Sequence, residues 1–280
     1  MTSRGCPYKC TYCSVGIVSG KRWRKRIPEN VIEELQFAKK RWRITGFEII
    51  DDVFNLDINR AKEICKLLIG SGLNLNWTCP NGIRADQMDD ELARLMFRAG
   101  CQKVYVGVES GDPEVFNRIK KGENLESVKK GINILQKTGI HVDGYFIIGL
   151  PGDCLESTKR SLKFIKENKI GAHFNFLMAY PGTELYQWVL KEGRFLEPRE
   201  GSFHFTNVSE DLKVTFETDE FPAKDKIFAW QMAQFVTGNF SFLYSEHFSF
   251  FEKTFKLFEF GCQFGFFPIA SFLMKQVHVF

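Results

Sequence analysis

Short apolar segments alternate with amphipathic helical segments along most of this chain, and this alternation constrains its fold more than any other feature. Each apolar segment is followed by a polar or glycine-rich turn and then by apolar residues at helical spacing. The apolar segments are residues 47–50, 76–79, 104–108, 142–148 and 174–178. Strands that alternate with helices form parallel sheets, because each helix carries the chain back across the sheet. The pattern therefore predicts an α/β fold.

The residues that directly follow these strands are polar side chains or glycines. They are Asp51, Asp52, Arg84, Glu109, Ser110 and Gly149. An open doubly wound sheet concentrates its site at one switch point, whereas a barrel carries functional groups on many of its strand-to-helix loops. Because most of the loops carry such a group, the pattern favours a barrel-type sheet over an open one.

Three cysteines, Cys6, Cys10 and Cys13, lie within eight residues near the start of the chain. On a tight loop this spacing turns three thiolates toward one point. A structural zinc site uses four ligands, and so does a simple [4Fe–4S] electron carrier. Three cysteines would leave one iron of a cluster free for another ligand. A zinc site that borrows a fourth ligand is the alternative, but no further cysteine or histidine lies close in sequence.

The spacing C-x3-C-x2-C, with Tyr12 just before the last cysteine, resembles the cluster motif of the radical S-adenosylmethionine (radical SAM) enzymes. The resemblance implies that Cys6, Cys10 and Cys13 bind a [4Fe–4S] cluster whose free iron binds SAM. It also implies reductive cleavage of SAM to a 5′-deoxyadenosyl radical, with a reductase, flavodoxin or ferredoxin as the electron donor. The implied fold is a partial (β/α)6 TIM-type barrel over residues 1–193, with a truncated first strand.

The same resemblance implies roles for the residues at the strand ends. Asp51 or Asp52 would accept from the SAM ammonium group, although the sequence leaves open which one. Glu109 and Ser110 would bind the ribose hydroxyls. The adenine would lie against Gly149, Met178, Tyr180 and Tyr12. Arg84 is predicted to bind the SAM carboxylate, and a surface ion pair is an equally weighted alternative. His141 and His173 receive no role.

Residues 20–52 resemble the cobalamin-binding class of radical SAM proteins, where a further domain precedes the barrel. Methyl transfer linked to cobalamin, held by a domain outside this chain, is therefore the leading hypothesis for a small-molecule substrate. An RNA modification like that of the tRNA methylthiotransferases is one alternative, and a non-catalytic metal-binding module is another. The net charge of +4 is too small to indicate nucleic acid binding.

The alternation ends near residue 193, and residues 194–280 form a second, phenylalanine-rich part. We expect this extension to be mainly helical, with a helix over residues 223–235. A second helix is indicated by four aromatic residues on one face, Phe248, Phe251, Phe255 and Phe258. The remaining five cysteines are scattered, which is typical of reduced buried thiols in a cytoplasmic protein. No apolar run is long enough to span a membrane.

Overall fold

The computed structural model describes residues 1–196 and 214–238, together with Gly261. Its centre is a parallel sheet of five strands, in which neighbours in sequence are neighbours in the sheet. The strands are β3 (Gly46–Glu48), β4 (Asn76–Ile83), β5 (Cys101–Glu109), β6 (His141–Ile148) and β7 (Gly171–Phe176). The α/β fold and the five apolar strand segments predicted from the sequence are confirmed.

Helices connect these strands and begin where the sequence provides a capping group. Pro28 opens the first long helix, where its missing N–H costs nothing. Asp57, Asp89 and Asp112 each accept from a backbone N–H in the first turn of the following helix. The helices are α1 (Val15–Val18), α2 (Pro28–Trp42), α3 (Ile58–Gly70), α4 (Asp90–Arg98), α5 (Pro113–Arg118), α6 (Leu125–Lys137), α7 (Leu155–Asn168), α8 (Glu184–Glu192) and α9 (Ala223–Thr237).

The main hydrophobic core lies between one face of the sheet and these helices. Alternate residues of β5, namely Val104, Val106 and Val108, are at most 1% exposed. They pack with apolar side chains of α3, α4 and α6, such as Leu92 and Leu135. Since successive residues of a strand face opposite sides, Tyr105 and Gly107 belong to the other face.

The expected first barrel strand is not part of the parallel sheet. Ser3–Arg4 (β1) forms an antiparallel two-stranded ribbon with Arg24–Lys25 (β2). The polar backbone groups of Thr2 are already bound elsewhere, because its N–H donates to Asp51 and its carbonyl accepts from Arg26 N and Arg60 Nη2. The predicted six-unit barrel therefore contains five parallel strands within the described residues.

After residue 192, Gly193–Phe195 (β8) pairs with Phe216–Thr218 (β9) in an antiparallel two-stranded ribbon. The predicted helix over 223–235 is confirmed as α9, which packs against β7 and α7. Trp230 Nε1 of α9 donates to the carbonyl of Phe174 at 3.3 Å. The phenylalanine stripe at residues 248–258 lies outside the described residues. No helix in the described part of the chain has both the length and the apolar character for crossing a bilayer.

Candidate cofactor site

The loop that carries Cys6, Cys10 and Cys13 is tied to the rest of the molecule by backbone hydrogen bonds. Cys6 N donates to Gly20 O at 3.2 Å, which closes the loop on itself. Thr11 N donates to Ile119 O at 3.0 Å, and Thr11 O accepts from Leu185 N at 2.9 Å. The middle of the cysteine loop is therefore held between the end of α5 and the start of α8.

The three thiols of this loop are free and partly buried. Burial raises the pKa of Cys10 to about 12, and it also raises the pKa values of Cys6 and Cys13. The charges of Cys6 and Cys13 each raise the pKa of Cys10, so the three thiols lie within electrostatic range of one another. Three free thiols on one anchored loop are a donor set that fits an iron–sulfur cluster.

A site for a single metal ion is the alternative to a cluster. Across the described ranges, 1–196 and 214–238, no three His, Cys, Asp or Glu side chains are arranged to hold one metal ion. In a cubane cluster, by contrast, each thiolate binds its own iron atom, so the sulfur atoms stay apart from one another. The three thiols of the loop are therefore considered as ligands of a cluster, each to a separate iron atom.

The two carboxylates that follow β3, those of Asp51 and Asp52, have different surroundings in the structure. Asp51 is 1% exposed and accepts from Thr2 N, Thr2 Oγ1 and, at 2.7 Å, Ser3 Oγ. Asp52 is less buried, and its Oδ2 accepts from Gly5 N at 2.7 Å. Both side chains therefore fix the backbone that leads into Cys6. The predicted contact of either one with SAM stays a prediction, and Asp52 has the freer carboxylate.

Arg84 follows β4 and is 6% exposed, so it is not a surface residue. Its Nε and Nη2 form a bidentate pair with Asp86, both at 2.8 Å, and its Nη1 donates to Lys121 O at 2.8 Å. The guanidinium carbon lies 3.8 Å from the ring centroid of Tyr8, in the cysteine loop. A SAM carboxylate would have to use the second Nη1 hydrogen or displace Asp86, so this predicted role remains a prediction.

Glu109 ends β5 in a strained conformation. Its φ is 64°, in the left-handed region that side chains other than glycine rarely adopt. The strand is irregular there, because the register with β6 shifts between Gly107 and Glu109. The carboxylate is buried and folds back over Gly107, where a Cβ would overlap Glu109 Oε1. Backbone strain of this kind is often kept at functional sites.

Lys121 is the residue of this region that the sequence did not single out. Its Nζ lies 3.1 Å from Glu109 Oε1 and 3.0 Å from Glu123 Oε1, and it also donates to Gly107 O. Burial alone would lower the pKa of Lys121, but the two carboxylates outweigh it and the net shift is upward. Lys121 therefore stays protonated. Its position in a Lys-Lys-Gly-Glu segment carries no periodic signal that separates it from an exposed turn lysine.

Tyr12 connects the cysteine loop to the same carboxylate. Burial, followed by the charge of Glu109, raises the pKa of Tyr12. The residue immediately before Cys13 and the residue at the end of β5 therefore lie near each other. The sequence assigned both to one SAM site, and the structure brings these two together.

The remaining predicted residues lie on neighbouring strand ends. Ser110 is buried, and its Oγ accepts from Asp112 N at 3.1 Å. Gly149 has φ 102° and donates its N–H to Asp153 Oδ2 at 2.7 Å. Beyond β7, Tyr180 Oη donates to Met178 Sδ at 3.6 Å. The contacts of these residues with SAM stay predictions.

Lys226, on α9, approaches the Gly149 turn from the part of the chain after the sheet. It is 1% exposed, and its Nζ donates to Phe216 O at 2.9 Å. A Cβ at Gly149 would lie 3.0 Å from that Nζ. Burial lowers the pKa of Lys226 to about 8 and raises that of the neighbouring Asp153 to about 6.

The two histidines without a predicted role lie elsewhere. His173 Nε2 contacts Asp143 Oδ2 at 2.8 Å, and His141 Nε2 lies 3.0 Å from Asp143 Oδ1. Asp143 also pairs with Lys103 at 2.6 Å. These residues belong to the first halves of β5, β6 and β7, so they are at the other end of the sheet from Glu109 and Gly149.

Comparison with known proteins gives a family match over most of the described sheet. The family model described as Radical SAM superfamily matches residues 1–165. An uncharacterized methyltransferase of Pyrococcus horikoshii is 36% identical over 197 residues, which are 70% of this chain and 42% of that protein. The cytidylyl-2-hydroxyethylphosphonate methyltransferase of Streptomyces wedmorensis is 32% identical over 214 residues, covering 73% of this chain and 39% of that protein.

Solved structures show the same fold. The radical S-adenosylmethionine methyltransferase TsrM of Kitasatospora setae, with cobalamin and a [4Fe–4S] cluster bound, superposes with a TM-score of 0.61. The match covers 68% of this chain and 37% of that protein, at 21% sequence identity. The chain thus spans about two fifths of the length of each of these three proteins.

Proposed function

Because the chain belongs to the Radical SAM superfamily, we propose that it binds a [4Fe–4S] cluster and SAM and that it generates a radical from SAM. The observation that carries the proposal is the anchored loop with three free, partly buried thiols, Cys6, Cys10 and Cys13. These thiolates would hold the cluster. When bound, the cluster supplies the electron that cleaves SAM to methionine and a 5′-deoxyadenosyl radical.

The chain's own residues would bind and orient SAM at the strand ends. Asp52 would accept from the ammonium group, and Glu109 with Ser110 would accept from the ribose hydroxyls. Gly149, Met178 and Tyr180 would border the adenine, and Tyr12 would pack beside it. The support for this assignment is that Glu109 lies near enough to Tyr12 for its charge to raise the pKa of that phenol, so the cysteine loop and the end of β5 are neighbours.

The finer proposal is methyl transfer to a small-molecule substrate with the help of cobalamin. Two relatives at 36% and 32% identity are named methyltransferases, which supports the reaction class. The fold of TsrM, whose structure contains cobalamin, is compatible with it. The cobalamin would be held by a part of the protein other than the barrel.

Three further features belong to the same proposal. A reductase, flavodoxin or ferredoxin would deliver the electron, and a reducing cytoplasmic compartment would keep the cluster and the free cysteines intact. We also propose a division of the chain into a barrel, residues 1–193, and an extension, residues 194–280. The start of β8 at Gly193 supports that boundary.

The proposal is tested by anaerobic reconstitution with iron and sulfide, followed by addition of dithionite and SAM. We expect a brown protein with broad absorption near ~400 nm that releases 5′-deoxyadenosine and methionine. The Cys13→Ala variant should release neither, whereas Cys65→Ala, which removes a buried thiol of α3, should retain the reaction. A colourless protein that retains zinc, or equal product release by both variants, would rule the proposal out.

A further inference from the structure

We propose that Lys121, together with Glu123, positions the cysteine loop and sets the reduction potential of the cluster that this loop holds. The inference rests on the proposed function and adds to it a residue pair for which the sequence predicted no role. Lys121 acts here as a positioning residue, because its contacts are with the loop's supports and not with a reacting atom.

The first argument is that the segment 119–123 is joined to the cysteine loop by one direct hydrogen bond and by a second link through Arg84. Ile119 O accepts from Thr11 N at 3.0 Å. Arg84, which lies against the Tyr8 ring, donates to Lys121 O at 2.8 Å. Lys121 Nζ pairs with Glu109, at the end of β5, at 3.1 Å. Tyr8 and Thr11, on either side of Cys10, are thus both connected to this one segment.

The second argument is that Lys121 is a buried cation with two buried anionic partners. Its side chain is 11% exposed, and those of Glu109 and Glu123 are 9% and 1% exposed. Glu123 Oε2 has no hydrogen-bond partner, although Arg84 Nη2 lies 3.6 Å from it. Charges in such surroundings act at a low effective dielectric constant, so their fields extend to neighbouring groups.

The third argument is the place of this charge beside the cysteine loop. Lys121 belongs to the segment that is bound, directly or through Arg84, to Thr11 and Tyr8, which lie on either side of Cys10 in the chain. A reduced cluster carries one more negative charge than an oxidised one. A nearby cation therefore stabilises the reduced form and raises the potential, and a nearby anion lowers it.

These arguments predict opposite effects for the two members of the pair. Lys121→Met removes the cation and should shift the midpoint potential to a more negative value. Glu123→Gln removes an anion at nearly constant shape and should shift it to a more positive value. Lys121→Arg retains the charge and should restore the potential close to that of the wild type. If the segment had only a structural role, Lys121→Met and Glu123→Gln would not be expected to shift the midpoint potential in opposite directions.

The experiment is a potentiometric titration of the reconstituted full chain, followed by electron paramagnetic resonance. Lys120→Met is the matched control, because Lys120 is the adjacent lysine, is 60% exposed and pairs with Glu184 on the surface. Its potential should equal that of the wild type. The rate of iron loss to a chelator is measured in parallel, and Lys121→Met should lose iron several-fold faster than Lys120→Met.

Shifts of the same sign in Lys121→Met and Glu123→Gln, or no shift in either, would overturn the inference while leaving the proposed function intact. If Lys121→Met fails to retain a cluster, Glu123→Gln alone decides, because an unchanged or more negative potential contradicts the proposal. Failure of the wild-type chain to take up any cluster would overturn both this inference and the proposed function.

Discussion

At the scale of single residues, the end of β5 depends on the absence of a side chain at Gly107. The Glu109 carboxylate occupies the space of a Cβ there, and such a Cβ would also lie 2.9 Å from Lys121 Nζ. Neither group can move freely, because Lys121 Nζ pairs with both Glu109 and Glu123 and the Glu109 backbone is fixed at φ 64°. The geometry of the candidate SAM site is therefore sensitive to a single methyl group.

We accordingly predict that Gly107→Ala destabilises the fold by about 1–3 kcal/mol, as expected for an overpacked site, and weakens SAM binding to the reconstituted protein. Chemical denaturation and a SAM binding titration measure the two effects. Gly70→Ala is the control, because a Cβ at Gly70 meets nothing within 4 Å. Equal stability of the two variants would contradict the close contact described here.

Asp51 gives a second prediction at this scale. Its carboxylate accepts three hydrogen bonds from Thr2 and Ser3 while it is almost fully buried. Asp51→Asn places an amide N–H against these donors and should cost about 1.5–3 kcal/mol of unfolding free energy. The exposed Glu33→Gln on α2 should change it by less than ~0.5 kcal/mol. If Asp51→Asn instead lowers only SAM affinity, Asp51 is a SAM ligand and not a support of the loop.

The residue scale also shows where prediction from sequence reached its limit. Glu109 was predicted because it directly follows an apolar strand, a local signal. Lys121 was not, because two partners of its ammonium group, Gly107 and Glu109, lie 14 and 12 residues away and meet it only through the fold. For Arg84 the sequence weighs a SAM-carboxylate ligand and a surface ion pair equally, since nothing in it indicates that Tyr8 and Asp86 cover the side chain.

At the scale of elements, α9 is joined to the glycine turn after β6 through Lys226. The ammonium group is buried beside Phe216 and Gly149, and its pKa is lowered to about 8. In the unfolded chain a lysine titrates near ~10.4. Between these values the unfolded state binds more protons than the folded state, so the stability contributed by this group rises with pH.

Lys226→Met should abolish that rise. From pH 7.5 to 9.5 the wild type should gain unfolding free energy relative to the variant, on the order of 1–2 kcal/mol. Parallel denaturant titrations of the two proteins at both pH values measure this difference, and the comparison cancels the groups they share. A constant difference between the proteins across this range would show that Lys226 is not desolvated by the docking of α9.

The elements themselves were well predicted where the signal was local. The five parallel strands followed from apolar runs, the helices between them followed from apolar residues at helical spacing, and α9 agrees with the helix predicted over residues 223–235. The pairing of β1 was not predicted. It depends on the distant Asp51, which accepts from the N–H of Thr2 that a neighbouring strand of the sheet would need. The boundary between barrel and extension at residue 193 stays a prediction.

At the scale of the whole molecule, parallel connectivity brings residues far apart in sequence to one end of the sheet. The cysteine loop, Asp52, Arg84, Glu109 and Gly149 each follow or adjoin the carboxyl end of a strand, and the 119–123 segment lies among them. This is the end at which barrel enzymes carry their sites. The sequence could predict this convergence because it depends only on the order of strands and helices.

The central claim is that three cysteines hold a cluster with one iron left for SAM. Electron paramagnetic resonance of the reconstituted, dithionite-reduced protein, recorded with and without SAM, tests it most directly. We predict a reduced-cluster signal whose g-values change when SAM is added, and the loss of that signal in Cys6→Ala, Cys10→Ala and Cys13→Ala. A cluster signal that SAM leaves unchanged, or one that survives in these variants, would contradict the account.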